Sequence, residues 1–251
     1  MKKLSVFIKS NFLTLSVASM AIAMMSADSA TAATLNLSFT KLQGLTGGNP
    51  AGTGVYRTDL SNIGFDINSI VIADSNNQSG GSPGKFSGFD LDAIKISRDL
   101  ISNAADINDL PGLNAFDFSP GKTVFTPGTQ RPTTDPLFLG NNFFGTNGNN
   151  INNSVATLQS FDGNSTTDAN AFGYASLGDG GQVGFNFTSL LSTANPLYLY
   201  IGEVGDNEKV ANGQITVSDK PITVPEPASL AALSLIGIYL TTRRSKKTNA
   251  V

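Results

Sequence analysis

The sequence predicts an all-β fold, an antiparallel β-sandwich of jelly-roll type. Three observations carry the prediction: short segments alternate apolar and polar residues, Gly, Pro and Asn clusters separate them, and only one stretch has helical spacing. Residues 34–40 put Leu35, Leu37 and Phe39 on one face, and residues 182–188 do the same with Val183, Phe185 and Phe187. Such alternation marks a strand with one buried and one wet side. Residues 68–73, 90–97, 155–161 and 213–218 read as further strands. Residues 197–201, Leu-Tyr-Leu-Tyr-Ile, are apolar on both faces and read as a central strand. Turns fall at Gly47-Gly48-Asn49-Pro50, Gly80-Gly81-Ser82-Pro83-Gly84, Asp179-Gly180-Gly181 and Asn212-Gly213. Residues 99–108 suggest a short helix around Leu100, Ile101, Ala104 and Ala105. Residues 141–153 hold seven Asn with Gly145 and Gly148, and predict an exposed, mobile loop. No fixed repeat of about 20 residues favours a β-solenoid.

Both ends carry export features. Lys2, Lys3 and Lys9 precede an uncharged stretch, residues 12–25, and then Ala30-Thr31-Ala32. A basic start, a short apolar run and an A-x-A site make a secretory signal peptide, cleaved after Ala32. The apolar run is shorter than the roughly 20 residues a membrane span needs. At the other end Val224-Pro225-Glu226-Pro227 leads into residues 228–242, which carry no charge, and then Arg243, Arg244, Lys246 and Lys247. As a helix this stretch would reach about 22 Å, a short transmembrane helix that snorkelling Arg could complete. The basic cluster would act as a stop-transfer signal on the cytoplasmic side. The expected organisation is thus a signal peptide at 1–32, a sandwich ectodomain at 33–224 and a sorting segment at 225–251.

The motif Val224-Pro225-Glu226-Pro227-Ala228-Ser229, with the apolar helix and basic cluster behind it, resembles the PEP-CTERM sorting signal of Gram-negative bacteria. The resemblance covers about the last 25 residues. It implies handling by an exosortase-type membrane protease, with processing at or near Pro225-Glu226-Pro227, after passage through the Sec translocon and signal peptidase. It further implies a cell-surface or extracellular-matrix address, linked to exopolysaccharide and biofilm, with transient anchoring in the inner membrane. Residues 176–185, continued by residues 199–205 and 215–218, resemble a stretch of several PEP-CTERM surface proteins with β-sandwich domains.

Composition narrows the chemistry of what remains. The 251 residues include no His, Cys or Trp. That excludes a Ser-His-Asp triad, imidazole ligands, thiolate nucleophiles and disulfides. The formal charge of -3 hides an uneven distribution. Seven of the 16 basic residues but only Asp28 and Glu226 of the 19 acids lie in the two ends. The ectodomain keeps nine bases against seventeen acids, a net of -8. Such a surface repels nucleic acid, so no nucleic-acid partner is expected.

Carboxylates are left as the acid–base groups. Asp90 and Asp92 share a strand face at a spacing compatible with glycoside hydrolysis. Glu203, Asp206 and Glu208 lie just past the apolar strand, where a solvated rim is the simpler reading. A carbohydrate-active hydrolase using Asp90 and Asp92 is therefore the alternative to a protein with no catalytic residues. Asp162, Asn164 and Asp168 space oxygen ligands like the front of an EF loop, and calcium is the metal such a loop would hold. Thr167 replaces the Gly of that pattern and Gly173 the bidentate Glu, which leaves a non-EF site, with Asp179 a further ligand, or an ordinary polar turn. Tyr198 and Tyr200 share one strand face and are candidate sugar platforms of a calcium-dependent carbohydrate-binding module, against the alternative of packing in the sandwich. The expected function is structural or adhesive, with extracellular polysaccharide the expected partner.

Overall fold

A computed structural model describes residues 32–48, 52–78, 80–119, 122–163, 173–206 and 215–223. All but Ala32 lie in the compact unit that begins at Ala33. Among them the regular structure is β, with two single-turn 3-10 segments, Gly84–Phe86 and Ala104–Asp106. The strands are β1 (Thr34–Asn36), β2 (Thr40–Lys41), β3 (Thr53–Asp59), β4 (Ile67–Ala73), β5 (Asp90–Ser97) and β6 (Thr123–Thr126). They continue as β7 (Thr146–Asn147), β8 (Asn150–Ile151), β9 (Ala175–Ser176), β10 (Gln182–Leu191), β11 (Tyr198–Val204) and β12 (Ile215–Ser218).

Two five-stranded sheets result, ordered β1-β12-β4-β10-β6 and β2-β3-β11-β5-β9, with every strand pair antiparallel. One apolar core lies between them. The first sheet contributes Ile70, Ile72, Phe125, Val183, Phe185, Ile215 and Val217, and the second Leu91, Ile94, Ile96, Leu199 and Ile201. From β3 onward successive long strands fall in opposite sheets, so the chain crosses the core at nearly every connection.

The second sheet is buried on its outer face as well. Val55, Ala93 and Tyr200 meet Ala104, Ile107, Leu110 and Phe161 there, in a second apolar cluster. Residues 98–111 thus form a strap over the sheet. Lys95 fastens it by donating from Nζ to the carbonyls of Ile107 (2.7 Å) and Leu110 (3.2 Å). Burial lowers the pKa of that ammonium, while the Asp109 charge acts against the shift. Tyr200 adds a hydroxyl that donates to Asp99 O (2.9 Å) and accepts from Ile101 N (3.0 Å).

Several expectations hold and others are corrected. Residues 182–188 lie within β10 with Val183, Phe185 and Phe187 buried, and residues 197–201 lead into the central strand of the second sheet. Residues 34–40 are not one strand: β1 and β2 belong to different sheets, and Leu35 is 38% exposed at a sheet edge. Residues 155–161 form turns, because Ala156, Leu158 and Phe161 pack inward without a ladder partner. The helix expected at 99–108 reduces to Ala104–Asp106, since its apolar residues serve the strap. The Asn-rich loop folds into the β7–β8 hairpin, held by Phe143 in the core and by Phe144 against Tyr174. The signal peptide and the sorting segment lie outside the described residues, apart from Ala32. Among those described, no helix is long and apolar enough to cross a membrane.

Candidate functional site

Asp90 and Asp92 lie on β5 where it pairs with β11, whose Glu203 sits opposite Leu91. Ile94 pairs with Ile201 and Leu91 with Glu203, so Asp92 and Ala93 both oppose Gly202. This bulge turns Asp92 and Ala93 toward the outer face while Leu91 and Ile94 keep to the core. Gly202 makes room for it: a Cβ there would meet Phe161 Cδ1 and Thr53 Cγ2 at 2.9 Å each. The expected shared face of Asp90 and Asp92 is therefore real in space, but it is sealed. Asp90 is 4% exposed, Asp92 and Glu203 0%.

Asp92 is the most constrained of them. Its Oδ2 accepts a 2.5 Å hydrogen bond from Thr53 Oγ1, and its Oδ1 points at Gly163, where any Cβ would approach to 2.4 Å. Burial is the main cause that pushes the carboxyl up to about 8, and the nearby Asp162 charge adds to it. The Thr53 hydrogen bond and the backbone of Asp162 and Gly163 act in the other direction. Asp162 is itself raised, by burial first, although Thr157 Oγ1 donates to its Oδ1 at 3.2 Å. Asp90 accepts from Ser176 Oγ at 2.5 Å. Tyr174, 1% exposed, is raised by burial and by the charges of Asp90 and Asp92.

This arrangement can store a proton on Asp92 at neutral pH, on a side chain shut off from solvent. Of the candidate calcium ligands, Asp162 is brought beside Asp92, whereas Asn164 and Asp168 lie outside the described residues. Asp179 is placed elsewhere, with Oδ1 3.4 Å from Arg131 Nε. Among the described residues no group of three or more acidic side chains is arranged to hold a metal ion. Glu208 is outside the described residues, and Asp206 forms an ion pair with Lys41. Tyr200 is fully buried with its hydroxyl engaged by the strap, which corrects its reading as a sugar platform, and Tyr198 packs against the same cluster.

A different set of residues forms an open cleft. Ile94, Lys95, Leu113, Asn114, Phe116, Phe118 and Gln159 surround about 260 Å³ beside Gly112. Phe116 and Phe118 stack with centroids 5.6 Å apart and are both half-buried. Phe185 braces both rings edge-on, each at 5.7 Å, so they are fixed from the core side. The Asn114 and Gln159 side chains are exposed at the rim. Sequence reasoning passed over these residues because Phe116 and Phe118 sit in an irregular stretch with neither strand nor helix periodicity. The spacing of two aromatics, i and i+2, was the available signal.

No protein-family model, curated protein or solved structure matches the chain.

Proposed function

We propose that the chain is an exported cell-surface or extracellular-matrix protein, sorted by an exosortase-type system and acting by contact rather than catalysis. Its sandwich is read as jelly-roll in type, supported by the strands that alternate between the two sheets. The address rests on the sequence features at the two ends. The observation that carries the non-catalytic role is the contrast between the two sites. The carboxylates are sealed, and the open cleft offers stacked rings and neutral amides. Rings with amide donors and acceptors bind sugars by stacking and hydrogen bonds. They supply neither the acid nor the nucleophile that glycoside cleavage needs.

Polysaccharide binding is the adhesive activity this reading assigns, with calcium at Asp162 as its support. The test is binding to a panel of neutral and acidic polysaccharides, in millimolar calcium and in chelator. Saccharide retention should fall severalfold in Asn114→Ala and Gln159→Ala, both exposed positions that leave the core intact. Chelator should weaken it, and Asp162→Asn should remove that dependence. Hydrolysis of any polysaccharide that disappears in Asp90→Asn or Asp92→Asn would establish the enzyme instead. Absence of binding to every polysaccharide would reduce the protein to a surface spacer.

A further inference from the structure

The first described strand is tied to the last by its very first residues. Ala33 N–H donates to Asp219 Oδ1 at 2.9 Å, and Asp219 N–H donates back to Ala33 O at 3.2 Å. The ladder continues with Thr34 opposite Ser218, Leu35 opposite Val217 and Asn36 opposite Thr216. Thr216 Oγ1 donates to Asn36 Oδ1 at 2.8 Å. The chain beyond β12 is pinned to the same sheet. Ser69 Oγ donates to Lys220 O at 2.6 Å, and Ile222 exchanges two hydrogen bonds with the Asn186 amide, at 2.6 and 3.0 Å. Two residues later comes the Val224-Pro225-Glu226-Pro227 motif.

Ala33 is also the residue that follows Ala30-Thr31-Ala32. We propose that Asp219 is the counter-ion of the processed N-terminus, so that cleavage after Ala32 locks β1 onto the strand leading to the sorting segment. This rests on the export reading. In the cleavage, water adds across the Ala32–Ala33 bond. Its oxygen becomes part of the departing Ala32 carboxylate, and the Ala33 nitrogen gains protons to become an ammonium. A neutral amide with one N–H thereby becomes a cation with three donors, at the same 2.9 Å from a carboxylate oxygen. Charge assistance strengthens such a hydrogen bond about twofold.

The location matters because β1 is weak by itself. It has three residues, all exposed, and lies at the edge of its sheet. An edge strand this short is held by its ladder rather than by apolar burial. An ion pair at Ala33, the residue before it, adds a tether where fraying would begin. In the precursor that place is occupied by a continuing peptide, and the tether exists only as the neutral hydrogen bond.

The experiment uses full-length chain exported with its own leader and purified in mature form. Mass spectrometry first reads the N-terminus, and a chain that keeps its leader overturns the export reading. In a chain that starts at Ala33, α-amine labelling near neutral pH should be severalfold slower than in Asp219→Asn, which keeps an acceptor oxygen but loses the charge. A second variant carries one Ala inserted after Ala32, so that the ammonium sits one residue too far out. Both variants should melt about 2 °C lower than the parent at low salt, and the gap should close at high salt. Equal labelling and equal melting in all three chains, with the parent starting at Ala33, overturn the ion pair while leaving export intact.

Discussion

Burial of Asp92 makes the stability of the sandwich depend on pH, and the direction follows from its raised pKa. In the unfolded chain the group titrates near 3.8, in the fold at about 8. Below about pH 4 both states hold the proton and Asp92 costs nothing. Between the two values the unfolded state has released its proton and the folded state has not, so stability declines as pH rises. Above about pH 8 the whole cost is present, with a ceiling on the order of 5 kcal/mol for a shift this wide. Urea melts of the parent should therefore show falling stability from about pH 5 to about pH 8. Asp92→Asn should flatten much of that slope, leaving the smaller part owed to Asp162 and Asp179, which burial also raises. An unchanged slope in the variant would move the effect to other carboxylates. Asp74 is a buried acid that joins loops. Its two oxygens accept from the backbone N–H groups of Phe89 (2.9 Å), Asn76 (2.7 Å) and Gly180 (2.8 Å), knitting three loops together.

At the scale of elements, the strap over the second sheet has a cost that can be measured. Ile107 is fully buried against Tyr200 and Phe161, so Ile107→Ala should destabilise by roughly 2–5 kcal/mol, the range for emptying a buried aliphatic site. Tyr200→Phe removes the hydroxyl that serves Asp99 and Ile101 and should cost about 1–2 kcal/mol. Hydrogen exchange in that variant should rise in residues 98–111 before the core strands change; uniform exchange would show that the strap has no separate stability. The strap also explains how far the elements were legible. β5, β10 and β11 stood out because period-two burial, or burial on both faces, left a plain apolar pattern. β3 did not, because Thr53, Arg57 and Thr58 are polar residues buried or half-buried by later segments such as the strap. Four-residue β6 is too short to show a period. Residues 155–161 looked like a strand because inward-facing turn residues can alternate as a strand does. In the site, Asp92 was visible as a residue but its burial was not, since the covering residues Phe161 and Gly163 lie far along the chain. The aromatic cleft was missed because three separate segments build it.

For the molecule as a whole, the ends and the sandwich pose separate questions. The sorting proposal predicts that the mature protein lacks Arg243 to Val251 in a cell that has an exosortase. It also predicts that replacing Pro225, Glu226 and Pro227 with Ala leaves the chain in the inner-membrane fraction with that tail intact. Fractionation followed by C-terminal mass spectrometry reads both, and a wild-type protein that keeps its tail removes the sorting proposal. With both ends removed as proposed, residues 33–224 carry a net charge of -8. On the polysaccharide-binding proposal, neutral polysaccharide should therefore be retained better than acidic polysaccharide.

The order of strands in the first sheet has a consequence for timing. β4, at its centre, pairs with β10 on one side and β12 on the other, and both are made more than a hundred residues later. Until those strands arrive, β4 has neither ladder partner, and contacts this distant in sequence form slowly. A chain emerging from its N-terminus therefore makes the β2–β3 pair and the β7–β8 hairpin early, while β4 waits for β10. β10 then closes on β4 and β6, β11 draws β3 and β5 together, and β12 comes last to join β1 to β4.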